Sequence, residues 1–266
     1  IKAPMLTVAQ EMKSVVNLFD RLQINESKLV FDRTSYFITC SKAVKEDLVK
    51  VFKVNKNKVK VIYNSVSYYS LEGINNNNTL EQVDEDFYVG MCGGPIHRKG
   101  PDLFLNTAKY INENYNNQNI KFIWQGGSEN TSAYQDFMNE IELLRLNNVV
   151  QIIPSKKNVQ SFFSKINLFL CSSREEPFGM VILEAMSCGL PVLSSKQSSM
   201  RSTFKEIPIY FDPFEIESIK KSIKKIYNNP KLLLDMSEKS FSFSKKFSWK
   251  TTSEKTFVYL SSVSKL

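Results

Sequence analysis

The feature that most constrains the fold is a regular alternation of short apolar runs with longer amphipathic segments. The alternation begins at Phe87 and continues to Ser195. The apolar runs are FYVGMCG, IKFIWQG, VVQIIP, LFLCSS and LPVLSS, and the segments between them have apolar residues at helical spacing. Buried parallel strands joined by crossover helices produce this pattern. We therefore expect an α/β fold with a doubly wound, Rossmann-like parallel sheet, in which ligands bind at the carboxyl ends of the strands.

A shorter version of the same pattern precedes it. The run YFITCS predicts a strand, SKAVKEDLVKVF a helix with Ser41 as its N-cap, and KVKVIYNS a second strand. Residues 1–22 have apolar side chains three and four positions apart, which predicts a helix. After Val66 the sequence becomes polar and contains four consecutive asparagines, which is typical of a linker.

These patterns divide the chain into four parts. We expect residues 1–67 to be the end of a first domain, 68–86 a linker, 87–240 a Rossmann-like domain, and 241–266 a helix that packs back towards the first domain. The chain begins with Ile1 in the middle of helix-like sequence, so we expect it to be the later part of a longer protein.

Composition excludes several classes. With 42% hydrophobic residues the chain is predicted to be globular, and no apolar run approaches the roughly 20 residues that cross a bilayer. No signal peptide is recognisable, which predicts a cytoplasmic protein. The four cysteines are widely spaced without a CxxC pair, so buried, reduced thiols are expected. The net charge of +8 fits solvated lysine-rich helix faces, or an anionic membrane surface or phosphate-bearing substrate. No nucleic-acid-binding motif accompanies it.

Two glycine-containing loops follow predicted strands. In CGGPIHRKGPD, Gly93 and Gly94 allow a ligand to approach the backbone closely, while Arg98 and Lys99 supply positive charge. This loop matches neither a Walker A loop nor GxGxxG, so an ordinary turn with solvated basic residues remains an alternative. In WQGGSEN a plain turn is the favoured interpretation.

The loop REEPFGMVILEAM is more specific. Pro177 has no N–H and Gly179 permits close approach, so Phe178, Gly179 and Met180 can present free N–H groups at a helix N-terminus, where an anion is stabilised. Glu176 and Glu184 lie on either side and can accept hydrogen bonds from hydroxyl groups. Phosphates between two sets of hydroxyls describe a nucleotide sugar bound without a metal. The alternative is one acid at a helix N-terminus and one on the surface.

EPFGMVILEAMSCGLPV resembles the E-x7-E signature of the retaining glycosyltransferases of the GT-B fold, with Glu176 and Glu184 as its two acids. The resemblance covers most of the chain. SKAVKEDLVKVFKVNKNKVKVIYNSV is similar to the end of that family's first domain, HRKGPDLFLNTAKYI to its donor-phosphate segment, KFIWQGG to its next strand and loop, and FSWKTTSEKTFVYL to its closing helix.

The resemblance implies a role for each matching residue. Glu176 would contact donor sugar hydroxyls and stabilise charge at the reacting carbon, Glu184 would bind the ribose, and Lys99 would neutralise the leaving phosphates. Phe178, Gly179, Met180 and Val181 would offer backbone contacts, and residues from Pro154 to Lys156 would lie near the base. The implied donor is a UDP- or GDP-sugar, without a cofactor or metal. The implied acceptor is a glycan or lipid-linked molecule in polysaccharide or lipopolysaccharide biosynthesis, with peripheral contact at the inner face of an anionic membrane.

Three departures leave a second function open. Gly94 stands where many relatives have an arginine, KQSSMRSTFKE replaces a glycine pair followed by an acid, and most of the family's first domain, with its acceptor site, has no counterpart in the chain. A catalytically weak nucleotide-sugar-binding module is therefore the alternative to an active transferase. A phosphorylase on the same fold and a nucleic-acid-binding module are more remote.

Overall fold

The computed structural model describes residues 5–10, 33–67, 86–114, 119–156, 159–196 and 198–264. Within them the chain forms two parallel sheets. The smaller sheet has the order β1-β2-β3 and contains β1 (Leu6–Ala9), β2 (Tyr36–Thr39) and β3 (Val59–Val61). Helix α1 (Lys42–Lys50) joins β2 to β3. The Ser41 hydroxyl accepts a hydrogen bond from the Val44 N–H at 3.2 Å, which confirms Ser41 as the N-cap.

The helix predicted over residues 1–22 is wrong where it can be compared with the structure. Leu6–Ala9 is a strand that pairs in parallel with Tyr36–Thr39, and residues 11–22 lie outside the described part. The backbone of this segment is satisfied by the neighbouring strand, and Thr7 and Val8 are β-branched residues that suit a pleated sheet. Tertiary pairing here overrides a short helical periodicity.

The larger sheet has six strands in the order β6-β5-β4-β7-β8-β9, and all its pairs are parallel. They are β4 (Phe87–Cys92), β5 (Ile120–Gln125), β6 (Val150–Ile153), β7 (Leu168–Cys171), β8 (Val192–Ser195) and β9 (Ile209–Phe211). The chain builds outwards from β4 in one direction and from β7 in the other. The topological switch point therefore lies between β4 and β7, where doubly wound sheets bind ligands. This architecture confirms the expected Rossmann-like fold.

Eight helices accompany the larger sheet in the described residues. They are α2 (Pro101–Asn114), α3 (Ser132–Leu143), α4 (Gln160–Phe163), α5 (Met180–Ser187), α6 (Ser198–Phe204), α7 (Ile216–Tyr227), α8 (Pro230–Ser244) and α9 (Trp249–Val263). Helix α8 begins at Pro230, and α9 begins at Trp249. The sequence patterns did not identify α6 or β9.

The core of the larger sheet lies on both of its faces. On one face Trp124 packs against Phe104 and Phe137, with ring centroids 5.2 and 5.1 Å apart. On the other face Phe163 packs against Phe169 at 6.0 Å. All four cysteines are buried free thiols, as expected.

Helix α9 connects the end of the chain to the smaller sheet. The Thr252 hydroxyl donates to the Tyr63 carbonyl at 3.0 Å and accepts from the Ser65 hydroxyl at 2.6 Å. The Val66 N–H donates to the Phe247 carbonyl at 3.1 Å. The segment of residues 68–85 lies outside the described part, and the division into domains stays a prediction.

Candidate active site

The loops that follow β4 and β7 meet at the switch point of the sheet. The Arg174 N–H donates to the Arg98 carbonyl at 2.8 Å, and the Ser172 hydroxyl donates to the Lys99 carbonyl at 2.9 Å. Residues His97–Lys99 form a single 3-10 turn that ends at Gly100 in the left-handed region, with φ of 69°. A Cβ atom at Gly100 would strike the Ser172 carbonyl oxygen, so only glycine allows this close approach of the two loops.

The approach brings a lysine and a glutamate into direct contact. Lys99 Nζ donates to Glu176 Oε1, and the Ser173 hydroxyl donates to the same oxygen at 2.8 Å. Arg98 Nη1 lies 3.8 Å from Glu176 Oε2. Glu176 is only 5% exposed, so its charge depends on these partners. Lys99, Arg98 and Glu176 together carry a net positive charge.

A second ion pair, between Arg174 and Asp102, links the same two loops. Arg174 donates to both carboxylate oxygens of Asp102, at 2.8 and 2.5 Å, and its Nη1 also donates to the His97 carbonyl at 2.9 Å. Burial raises the pKa of Asp102, but the hydrogen bonds and charge of Arg174, together with hydrogen bonds from the backbone N–H groups of Asp102 and Leu103, outweigh burial and lower it overall. Asp102 is in the first turn of α2 and Arg174 is in the β7 loop, so the pair links the Lys99 loop to the Glu176 loop.

The start of α5 offers unpaired N–H groups. Gly179 has φ of 87°, and a Cβ atom there would lie 2.9 Å from Met200 Sδ. No side chain caps the helix. The backbone N–H groups of residues 178–181 make no hydrogen bond to any residue that the structure describes. A helix N-terminus in this state is a binding site for an anion. The Phe178 side chain is buried against Tyr63, Phe204 and Phe247, so this residue can offer only its backbone.

Glu184 lies one helical turn beyond Met180 and is half-buried. Within the described residues its carboxylate has no hydrogen-bond or ion-pair partner. Burial raises its pKa. Burial and the Glu184 charge together raise the pKa of Cys92 to about 12, which places the carboxylate near the end of β4. Glu184 is therefore an acceptor without an internal donor.

The loops that follow β5 and β6 contact each other, and the start of the β4 loop at Gly93 lies beside them. Gly93 has φ of 147°, and a Cβ atom there would lie 3.3 Å from Lys99 Cε. The Ser155 N–H donates to the Gly127 carbonyl at 2.9 Å, which brings the half-buried Pro154 and exposed Lys156 to the WQGG loop. A Cβ atom at Gly94 meets nothing within 4 Å, so this position faces open space.

The structure thus brings every residue proposed from the sequence to one edge of the larger sheet. Sequence reasoning missed Asp102, Ser173 and Arg174, which contact the residues of this candidate site. Asp102 and Arg174 had a detectable signal, because one begins a helix after the basic loop and the other precedes Glu176.

The described residues show neither a metal-binding cluster nor a helix that could span a membrane. They contain no group of three or more His, Cys, Asp or Glu side chains that could hold a metal ion. None of their helices has the length and apolar character of a membrane span.

The parallel sheets, the switch-point cleft and its four loops define a GT-B type glycosyltransferase fold. The family model for glycosyl transferases group 1 matches residues 75–243, and the chain belongs to that family.

Known proteins show the same relationship. The chain is 25% identical over 175 residues to an uncharacterized glycosyltransferase, MJ1607, of Methanocaldococcus jannaschii, covering 63% of this chain and 44% of that protein. It is 26% identical over 235 residues to the alpha-galactosylglucosyldiacylglycerol synthase of Streptococcus pneumoniae, covering 82% and 58%. Anabaena Alr3699/HepE in complex with UDP-glucose superposes with a TM-score of 0.82 at 20% identity, covering 97% of this chain and 72% of that one. The chain spans about half the length of the curated relatives that it matches.

Proposed function

We propose that this chain forms the donor-binding half of a retaining glycosyltransferase, which moves a sugar from a nucleotide diphosphate sugar to a glycan or lipid-linked acceptor. The observation that carries the proposal is the pairing of Lys99 with Glu176 beside the uncapped start of α5. The cations and free N–H groups suit a diphosphate, while Glu176 and Glu184 suit the hydroxyl groups on either side of it.

The proposed reaction needs charge stabilisation more than a dedicated base. The bond between the anomeric carbon and the phosphate oxygen breaks, and the diphosphate leaves with the electron pair. Lys99, Arg98 and the N–H groups of residues 178–181 then face the developing negative charge, which such preorganised donors stabilise. The acceptor oxygen bonds to the same face of the sugar and passes its proton to the departing phosphate.

Glu176 suits a stabilising role in this reaction. Its Oε1 accepts from both Lys99 and Ser173, so the carboxylate is oriented and already hydrogen-bonded. A carboxylate held in this way can stabilise positive charge on the sugar ring and accept from its hydroxyls. We propose this role for Glu176, without a covalent sugar–enzyme intermediate and without a metal ion.

The donor base and the acceptor are less constrained. A structural neighbour binds UDP-glucose, and a relative is a synthase of a glycosylated diacylglycerol. These support a nucleotide-sugar donor and a glycan or lipid-linked acceptor, and we propose a UDP- or GDP-hexose as the donor. From the net charge of +8 we also propose that the protein works in the cytoplasm at an anionic membrane surface. Cosedimentation with vesicles containing phosphatidylglycerol at low salt tests the membrane contact.

Thermal unfolding in EDTA with UDP, GDP and ADP tests the donor site. We expect one diphosphate to stabilise the chain, by about 2.7 kcal/mol at 100 times its dissociation constant. Glu184→Ala should reduce the stabilisation. Glu142→Ala, at an exposed acid of α3, should leave it unchanged. No stabilisation by any of the three, or stabilisation that requires a metal ion, would refute a metal-free donor site in this chain.

One observation favours the second candidate, a nucleotide-sugar-binding module with little activity of its own. Gly94 leaves open space in the phosphate loop where the resemblance leads us to expect an arginine. Sugar transfer and nucleotide binding, measured on the same preparation, distinguish the two functions. Binding without transfer to any glycan or lipid-linked acceptor supports the module.

A further inference from the structure

Gln125 is a buried amide at the carboxyl end of β5 whose role is not explained by packing. It is 2% exposed, and its side chain makes no hydrogen bond to any described residue. Three other buried side-chain polar atoms in the described part also lack a partner, on Thr39, Thr203 and Ser240. Thr39 lies in the smaller sheet, and Thr203 and Ser240 lie in helices α6 and α8.

An unpaired buried amide is costly to the fold. A donor withdrawn from water without a partner costs about 1–3 kcal/mol, whereas leucine would fill a similar volume without that cost. The amide is therefore unfavourable in the free chain. A ligand with an acceptor atom at this position would remove the penalty.

The surroundings of Gln125 indicate which ligand group it faces. Gln125 pairs in register with Cys92, so the two side chains project from the same face of the sheet. The adjacent Trp124 points to the opposite face, against Phe104 and Phe137. The charges of Glu184 and Lys99 both act on the Cys92 thiol, which places Gln125 next to the part of the cleft that these two residues border.

Contacts with the neighbouring loops also place Gln125 at this position. The Gly93 N–H donates to the Gln125 carbonyl at 2.8 Å, so Gln125 is joined to the phosphate loop. On its other side β5 pairs with β6, which leads into residues 154–156. Gln125 thus lies between the proposed phosphate and base positions, on the face where Glu184 has no internal donor.

We propose that Gln125 is a specificity-determining residue that binds the ribose of the nucleotide, its Nε2 donating to a ribose hydroxyl oxygen whose own O–H donates to Glu184. The inference rests on the proposed function and extends it. A hydroxyl group both donates and accepts, while a carboxylate only accepts, so an amide and an acid together match it. The pair selects ribonucleotides over deoxyribonucleotides.

The test measures dissociation constants by calorimetry on the full chain. The probes are the nucleoside diphosphate that binds most tightly among UDP, GDP and ADP, together with its 2′-deoxy and 3′-deoxy forms. The variants are Gln125→Leu and Gln125→Glu, and the matched control is Gln151→Leu on the exposed part of β6. Unfolding temperatures without ligand report the fold, and Gln125→Leu should be at least as stable as the parent because it removes an unpaired donor.

We expect Gln125→Leu to weaken binding of the ribonucleotide about 5- to 10-fold, as for loss of one buried hydrogen bond. It should not change the affinity for one of the two deoxy forms, because that form lacks the hydroxyl that Gln125 is proposed to bind. Gln151→Leu should change none of the affinities. Equal affinity of the parent and Gln125→Leu for the ribonucleotide overturns the proposal. An equal loss with the ribonucleotide and both deoxy forms overturns the assignment to ribose. If the parent binds none of the three diphosphates, the proposed function itself is overturned, and the inference with it.

Discussion

At the scale of single residues, the lysine proposed to bind phosphate is already paired with a carboxylate of the same chain. Lys99 donates to Glu176, although the proposed reaction requires Lys99 to face phosphate. A diphosphate entering the cleft therefore competes with a carboxylate for the same cation. On the proposed function, the carboxylate holds the lysine in place in the free chain and lowers its affinity for the donor.

Glu176→Gln should separate binding from transfer. We expect transfer to fall by about 100-fold or more, since an acid that faces developing positive charge is removed. Binding of the nucleoside diphosphate should become about 3- to 10-fold tighter, because a negative charge beside Lys99 is lost. Calorimetry and a transfer assay measure the two effects. Weaker diphosphate binding by this variant would contradict the competition.

Glu184→Gln should trade binding for stability. Burial raises the pKa of Glu184, so its ionised form destabilises the fold, and this penalty grows as pH rises above the ordinary value of 4.5. The variant should therefore be more stable than the parent at pH 7.5 and similar to it near pH 4, by chemical denaturation. It should bind the diphosphate about 10-fold more weakly, for loss of a charge-assisted hydrogen bond. Glu142→Gln should show neither effect.

Gly94→Arg should tighten diphosphate binding. A side chain at this position enters open space, and Gly94 is not among the glycines with positive φ. The added cation should increase affinity about 5-fold at low salt, and the gain should shrink as salt screens it. Gly94→Gln, of similar length but uncharged, is the control. A loss of affinity in both variants would mean that the ligand itself fills the space.

At the scale of elements, the site depends on how the β4 and β7 loops are fastened together. Arg174 lies in the β7 loop, which also contains Glu176. Its guanidinium donates to Asp102 at the start of α2 and to the His97 carbonyl in the β4 loop. Lys99 and Glu176, the side chains proposed to contact the donor, come from different loops. Their relative position is therefore set by this ion pair and by the close approach at Gly100.

Asp102→Asn should reduce stability in a pH-dependent way. The pKa of Asp102 is lowered below its ordinary value of 3.8, so its contribution is complete above that value and is lost as pH falls through the lowered pKa. The parent and the variant should differ in unfolding free energy at pH 6, and the difference should shrink as pH falls further below 3.8. Asp136→Asn, at an exposed acid, is the control. A difference that persists unchanged at pH 2 would exclude the ion pair as its cause.

The sequence patterns identified elements unevenly, for physical reasons. Strands β4, β5, β6, β7 and β8 were predictable because each is a short apolar run between amphipathic helices. Strands β1 and β9 are at sheet edges and are short, so their local sequence carries little periodicity. The Leu6–Ala9 strand exists because β2 provides its hydrogen-bond partners, and those partners are about 30 positions away.

At the scale of the whole molecule, an aromatic cluster connects the smaller sheet to the site. The Phe247 ring packs against Tyr63, Phe178 and Phe204 at centroid distances of 5.8, 6.0 and 6.3 Å. Tyr63 follows β3, Phe178 is in the Glu176 loop, and Phe204 ends α6. Packing at the end of the chain thereby supports the loop that starts α5.

Phe247→Ala should be strongly destabilising. Phe247 is 6% exposed, and removing such a ring from a packed cluster costs about 3–5 kcal/mol. Phe257→Ala, at a residue of α9 that is 72% exposed, should change stability by no more than about 0.5 kcal/mol. Urea denaturation measures both. A small effect at Phe247 would mean that the cluster does not stabilise the junction.

The sequence by itself determined the class of fold, most of the elements and the residue types of the site. Local periodicity specifies strand or helix, and local chemistry marks glycine loops, an uncapped helix and two acids. Only the tertiary structure decided which of these meet. Lys99 and Glu176 are 77 positions apart, and their contact depends on β4 and β7 being neighbours.

The same holds for the residues that the sequence did not reveal. Arg174 links the two loops because Asp102 lies opposite it. Gln125 is proposed to bind a ligand because no described side chain pairs with its amide nitrogen. The periodicity of apolar residues predicts which face of its strand or helix a residue occupies. It does not state the order of strands in a sheet, and that order sets which charges pair and which donors are left for a ligand.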